Sequence, residues 1–187
     1  MRSAPRSNKN ETTAASVKVP KKAAAEKAAD ASGVTPQRAE RPRLIVGVGA
    51  SAGGINAFKA FFATMPPDTG MSFVLVQHLD PNHESALVPI ISGYTTMPVH
   101  LAEDNATLNP GEVYVIPPNV TLTIKDRRLR IHRPASTIAR RISVNTFLTS
   151  LAEDQGENAV GIILSGFGTD GSAGIAAIKA NGGLTLS

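Results

Sequence analysis

The chain has 187 residues, with no Cys and no Trp. That length closes one domain with a sizeable core, and the lack of Cys excludes disulfides, thiolate nucleophiles and cysteine-based metal sites. No apolar run approaches the length of a bilayer-spanning helix, and the basic N-terminus is not followed by the apolar stretch of a secretory signal, so no membrane insertion is expected and a reducing cytoplasm is the expected compartment.

The net charge of +4 is unevenly distributed. Residues 1–43 hold ten Lys and Arg against four Asp and Glu, whereas residues 44–187 hold nine against eleven. The basic excess belongs to the N-terminal stretch, which is rich in Ala, Lys, Ser and Thr and almost free of large apolar side chains. Such a segment buries too little surface to offset its chain entropy, so residues 1–42 are expected to be a disordered basic tail, and residues 43–187 a folded domain. A nucleic-acid partner is not expected, because it would require a basic face on the folded body. The one dense candidate, Lys125 to Arg141, reads most simply as a solvated hairpin and loop, with contact to an acidic protein surface as the alternative.

From Leu44 onward, apolar runs alternate with amphipathic ones. Leu44–Val48 is too short for a helix and reads as a buried strand. A glycine turn follows, then a helix over Gly54–Met65 with Ile55, Phe58, Phe61 and Phe62 at helical spacing, stopped by Pro66-Pro67. Ser72–Gln77 is a second buried strand, Glu84–Ile91 a helix and Pro98–Leu101 a short strand. Tyr114–Ile116, Thr121–Ile124 and Leu129–His132 alternate as antiparallel strands do, with a turn at Asp126-Arg127. Ser143–Glu153 carries Val144, Phe147, Leu148 and Leu151 on one helical stripe. Val160–Leu164 is another buried strand, Gly171–Ala180 a helix closed by Asn181-Gly182-Gly183, and Leu184–Leu186 a final strand. Together these elements predict an α/β fold: a doubly wound, mostly parallel sheet in a Rossmann-like three-layer sandwich, with a small antiparallel strand insertion.

Ligands in such sheets bind beyond the carboxyl ends of the strands. Three residues fall there: Ser51 after the first strand, His78 directly after the second, and Asp170 in the loop after Val160–Leu164. Gly49-Ala50-Ser51-Ala52-Gly53 has the glycine–x–serine–x–glycine form of a nucleophile elbow. A serine hydroxyl is a weak nucleophile until a histidine takes its proton and a carboxylate orients the imidazole. Each residue also has a plainer role: His78 as a polar end to a strand, Asp170 as the cap of the helix that follows it. Gly47, Gly49 and Gly53 also approximate the spacing of a dinucleotide-binding loop, which keeps an NAD(P)-binding domain open. That scheme wants an acidic residue closing the second strand, where Val76-Gln77-His78 stands. An acid–histidine pair in the other chain order would use Asp104 and His132, but His132 falls inside a strand pair. His78, Asp80 and His83 match no recognised metal spacing, so neither a metal nor a cofactor is expected. His100 and His132 read as structural or exposed.

Val48-Gly49-Ala50-Ser51-Ala52-Gly53-Gly54, Val76-Gln77-His78, Gly111-Glu112-Val113-Tyr114-Val115-Ile116-Pro117 and Gly166-Phe167-Gly168-Thr169-Asp170-Gly171 resemble, in order and separation, the catalytic domain of the CheB-type protein-glutamate methylesterases of bacterial chemotaxis. The resemblance runs from about Leu44 to Ser187. It implies Ser51 as nucleophile, His78 as base and Asp170 as orienting acid, with the amides of Ala52 and Phe167 facing the oxyanion. It also implies a substrate: glutamate methyl esters, and in many members glutamines, on chemoreceptors. Ala52 stands where the family usually has threonine, Phe167 where methionine is usual, and Val120 near a common histidine. The form is similar to the esterase part of fusions with a CheR-type methyltransferase, so such a domain is an expected partner beyond Ser187. The family domain continues with another strand and helix, so the chain is expected to be incomplete at its C-terminus. No phosphoacceptor receiver domain is expected to control it from within this sequence. The rival readings are an inactive receptor-docking module and the NAD(P)-binding domain.

Overall fold

The computed structural model describes residues 43–50, 54–77, 86–134, 136, 142–165 and 169–187. The tail expected over residues 1–42 lies outside them. In chain order the strands are β1 (Ile45–Ala50), β2 (Ser72–Gln77), β3 (Val99–Leu101), β4 (Val113–Val115), β5 (Thr121–Lys125), β6 (Arg128–His132), β7 (Ala159–Ser165) and β8 (Leu184–Leu186). The helices are α1 (Ile55–Thr64), α2 (Leu87–Ser92), α3 (Ser143–Gln155) and α4 (Ser172–Ala180). Six strands form one sheet in the order β3-β4-β2-β1-β7-β8, with every neighbouring pair parallel, and β5 and β6 form a separate antiparallel hairpin. This is the expected doubly wound architecture.

Side chains alternate across the sheet and build a core on each face. Val46, Val48, Phe73, Leu75, Val113 and Val115 pack with Phe58 and Phe62 of α1 and Leu87 and Ile91 of α2. Ile45, Val74, Val76 and Tyr114 pack with Val144, Phe147, Leu148 and Leu151 of α3, Ile178 of α4, and Leu122, Ile124 and Leu129 of the hairpin. The central strands β1, β2 and β4 are buried on both sides, which is why they read as continuous apolar runs. On the α1 side, Phe61, Phe62 and Phe73 meet edge-to-face with ring centroids 5.1–6.1 Å apart, the geometry that aromatic quadrupoles favour.

One expectation fails. The segment starting at Val113 does not join the antiparallel strands; as β4 it pairs in parallel with both β2 and β3. Its apparent alternation came from the phenol of Tyr114, yet Tyr114 is only 5% exposed. The hydroxyl donates to Glu112 Oε2 at 2.6 Å, and Asn109 N donates to it at 3.1 Å. His100 Nε2 stands 3.2 Å from the same carboxylate oxygen. A satisfied polar tip thus lets an apolar ring sit inside the sheet.

The hairpin turn falls where expected, at Asp126 and Arg127, and both residues take positive φ, 54° and 60°. Without glycine this conformation is costly. The Asp154 carboxylate at the end of α3 accepts from both turn amides, at 2.6 Å from Asp126 N and 3.0 Å from Arg127 N. The turn is therefore fastened to the helix.

Burial, and then the hydrogen bond to Glu112, push the Tyr114 phenol well above its ordinary value. An unfolded phenol ionises near pH ~10, so above that pH the unfolded chain binds fewer protons than the folded one and stability falls with rising pH. Urea unfolding at a series of pH values from about 8 to about 11 is expected to show this decline in the parent chain and a weaker decline in Tyr114→Phe. Equal slopes would reject the assignment.

Candidate active site

The carboxyl ends of β1, β2 and β7 meet at one edge of the sheet. Ala50, the last residue of β1, is in register with Gln77, the last of β2, and with Ser165, the last of β7. Position 51 follows Ala50 directly and position 78 follows Gln77 directly. Ser51, Ala52, His78 and Phe167 themselves lie outside the described residues, as do Asp80 and His83. The register shifts between Gly49 and Ala50 opposite β7. Such irregularities occur next to active sites, where they re-aim a side chain or end a pairing. Ser165 Oγ at this edge is buried and has no hydrogen-bond partner among the described residues.

Asp170 is described, and its carboxylate is held by α3. Val144 N donates to Oδ2 at 3.0 Å and Asn145 N donates to Oδ1 at 2.8 Å. Asp170 does act as a cap, but of α3 rather than of the helix that follows it. The N-terminus of α4 is served in return by α3: Gly171 N and Gly174 N each donate to Asn145 Oδ1 at 2.9 Å. Neither helix has a side-chain cap at its own N-cap position, Ile142 or Gly171. α3 takes its cap from Asp170 in the loop before α4, and α4 takes its cap from Asn145 of α3, which satisfies four of the amide donors that helix starts leave open. Gly171 has φ 107°, and a Cβ there would come within 2.6 Å of Ile163, so the residue after Asp170 must be glycine. The exchange fixes the Asp170 carboxylate at the same edge as the ends of β1 and β2.

Asn145 is the functional residue that sequence reasoning misses. Its only sequence signal is an Asn in the first turn of an amphipathic helix, where such a side chain readily bonds backbone.

The glycines before Ser51 have a structural use. Gly47 and Gly49 lie inside β1. A Cβ on Gly47 would meet Leu148 at 2.5 Å, and one on Gly49 would meet Val144 at 2.5 Å and Ile163 at 2.8 Å. They admit α3 against the strand, rather than forming a loop that approaches a pyrophosphate. The other early candidates separate as well. Asp104 Oδ1 accepts from Ile131 N at 2.9 Å, while His132 Nε2 lies 2.9 Å from Thr123 Oγ1, so each is engaged elsewhere. Among the described residues no cluster of three His, Cys, Asp or Glu could hold a metal ion. No helix among them is long and apolar enough to cross a membrane.

Fold and edge together define a doubly wound α/β domain with its site at the carboxyl ends of adjacent parallel strands. The family model for CheB methylesterase matches residues 46–187. The chain is 34% identical over 157 residues to protein-glutamate methylesterase/protein-glutamine glutaminase 2 of Burkholderia lata, covering 83% of this chain and 45% of that protein. It is 33% identical over 140 residues to a putative protein-glutamate methylesterase/protein-glutamine glutaminase of Leptospira interrogans, covering 74% and 72%. The crystal structure of the Thermotoga maritima CheB methylesterase catalytic domain matches with a TM-score of 0.69 at 25% identity, over 77% of this chain and 78% of that one. The chain belongs to the CheB methylesterase family. It spans less than half the length of the Burkholderia relative.

Asn145→Ala removes the acceptor shared by two helix-start amides. It is expected to cost about 1–3 kcal/mol of stability, read from urea unfolding, whereas Asn145→Asp keeps an acceptor there and recovers most of the loss. An Asn145→Ala chain as stable as the parent would contradict the exchange of caps.

Proposed function

We propose that the chain is a serine hydrolase that demethylates glutamate methyl esters on chemoreceptors of bacterial chemotaxis, and deamidates glutamines at such sites. Ser51 is the nucleophile, His78 the general base and Asp170 the acid that orients the imidazole. The observation that carries this reading is the register of Ala50 with both Gln77 and Ser165, which brings the chain entering Ser51, the chain entering His78 and the loop leading to Asp170 to one edge. The names borne by the Burkholderia and Leptospira relatives supply the substrate class.

In the first half-reaction Ser51 Oγ bonds to the ester carbonyl carbon as its proton passes to His78. The negative charge gathers on the carbonyl oxygen, facing the backbone amides of Ala52 and Phe167; donors so aimed act most strongly in the transition state. Collapse breaks the carbon–oxygen bond to the methoxy group, which leaves as methanol with the proton from His78. A glutamyl ester of Ser51 remains. Water then attacks it, His78 takes one water proton and returns it to Ser51, and the product departs as the carboxylic acid, which releases its remaining proton to solvent as it ionises to glutamate. With glutamine the leaving group is ammonia. The sequence balances with ester or amide, water and three side chains. Asp170 keeps its charge throughout and stabilises the imidazolium; its hold on two α3 amides keeps it from turning away.

Ser51→Ala is expected to abolish methanol release from a methylated chemoreceptor fragment while leaving the circular dichroism spectrum unchanged. A serine-reactive phosphonate is expected to label the parent at Ser51. Asp170→Asn is expected to lower kcat by about 10³–10⁴-fold, as loss of the acid does in serine–histidine–aspartate hydrolases. Undiminished turnover in Ser51→Ala rejects the mechanism.

A further inference from the structure

The β5–β6 hairpin is sharply two-faced. Opposite residues of an antiparallel pair share a face. Leu122–Ile131 and Ile124–Leu129 face the core. Thr123–Arg130 and Lys125–Arg128 are paired on the outer face, which ends at His132. Lys125, Arg128 and His132 are exposed. Residues 121–133 hold five of the nine Lys and Arg of residues 44–187, but only one of the eleven Asp and Glu. The domain outside the hairpin is therefore acidic, and its positive charge is concentrated on one small sheet.

Two of these cations are held in place by neutral acceptors. Arg128 Nη1 donates to Asn105 O at 3.0 Å and Arg130 Nη1 donates to Asn105 Oδ1 at 2.9 Å. Asn105 adopts φ 64°, a left-handed conformation that Asn tolerates better than most residues. Among the described residues no carboxylate oxygen forms a salt bridge with the side chain of Lys125, Arg128 or Arg130. The nearby carboxylates of Asp104 and Asp154 bond hairpin backbone amides rather than these side chains, so the two guanidinium groups are oriented without a direct carboxylate contact. Such an arrangement favours an incoming anion, because part of the ordering cost is already met.

The hairpin is also aligned with the site. Its turn is tied to Asp154 near the end of α3, and Ile124 N donates to Ser150 Oγ one turn earlier, at 3.0 Å. The open end, with Thr121 and His132, therefore lies toward the α3 N-terminus that holds Asp170, with Arg130 nearer to it and Lys125 and Arg128 further away at the turn, so the face extends from the site along α3.

We propose that the outer face of this hairpin, through Lys125, Arg128 and Arg130, docks an acidic stretch of the substrate protein beside the glutamate being processed. The inference rests on the function proposed above, whose product is itself a carboxylate on the partner's surface. An acidic protein is favoured over a nucleic acid because the rest of the domain would repel a polyanion longer than the patch, and the face carries no aromatic platform for bases.

The test uses the full chain and a triple variant, Lys125→Gln, Arg128→Gln and Arg130→Gln, in which Gln keeps a donor within reach of Asn105. The probes are a methylated recombinant cytoplasmic fragment of a chemoreceptor and a short peptide bearing one glutamate methyl ester. For the receptor fragment, KM in the variant is expected to rise about tenfold and to lose its increase between low and high salt. Its kcat, and the rate on the short peptide, are expected to stay within about twofold. An unchanged KM for the receptor fragment overturns the proposal. So does a DNA duplex that the parent binds as tightly as the receptor fragment and that the triple variant binds about tenfold more weakly. If the parent hydrolyses neither ester, the proposed function falls, and anisotropy titration of the labelled receptor fragment decides docking alone: tenfold weaker binding by the variant supports it and equal binding overturns it. If the triple variant has lost its circular dichroism spectrum, Arg128→Gln takes its place in the same measurements, with an expected threefold or smaller rise in KM and no rise overturning the proposal.

Discussion

The close seat of α3 on β1 is the constraint from which the site follows. Beyond Ile45, Gly47 and Gly49 leave that face of the strand bare, and Val144, Phe147, Leu148 and Leu151 fill the space. A methyl at either glycine would overlap an α3 side chain, so helix and strand approach as near as backbones and core packing allow. This approach sets the height at which α3 begins. Its first turn comes level with the loop after β7, where Asp170 takes its amides and Asn145 returns the contact to α4. A helix held further from the sheet could not exchange caps with that loop. The position of the carboxylate is thus fixed by an apolar contact in the core as much as by its own hydrogen bonds.

The fold was legible because a parallel sheet covered on both faces announces itself in runs of apolar residues. Ser72–Gln77 and Leu184–Leu186 can be read from the sequence to the residue, and the helix starting at Ser143 shows its stripe plainly. The misplacement of Tyr114 has a physical origin. A phenol alternating with valines looks like a half-exposed strand, and only the spatial meeting with Glu112 and Asn109 reveals that its polar end is satisfied indoors. The turn at Asp126-Arg127 was found from its place between strands, yet nothing local explains two non-glycine residues at positive φ. That explanation sits in Asp154, roughly thirty residues away along the chain.

The candidate site divides the same way. Which strand ends converge follows from counting strands, and the register of Ala50 with Gln77 and Ser165 agrees with that count. What sequence reasoning cannot supply is the use made of each polar side chain. Asp170 in a glycine-rich loop before a helix reads as that helix's cap, but its oxygens go to a different helix. Asn145 reads as an unremarkable polar residue, because the two amides it serves belong to Gly171 and Gly174. Reciprocal capping between elements is a property of their packing and leaves little trace in either segment alone.

The same packing separates the two functional readings that one glycine-rich segment permits. A dinucleotide-binding turn uses its glycines to bring backbone to a pyrophosphate at a helix start. Here the first two glycines lie in the strand, and the volume they free is occupied by α3. They are committed to the protein's interior before any ligand arrives. Ala50, the residue before Ser51 in the sequence, is paired on both sides. A rigid, doubly paired strand end is a suitable mount for a nucleophile, which must meet its base within hydrogen-bond reach. One fold thus hosts different chemistries according to where its glycines stand relative to the strand end, and in this chain Gly47 and Gly49 stand inside the strand.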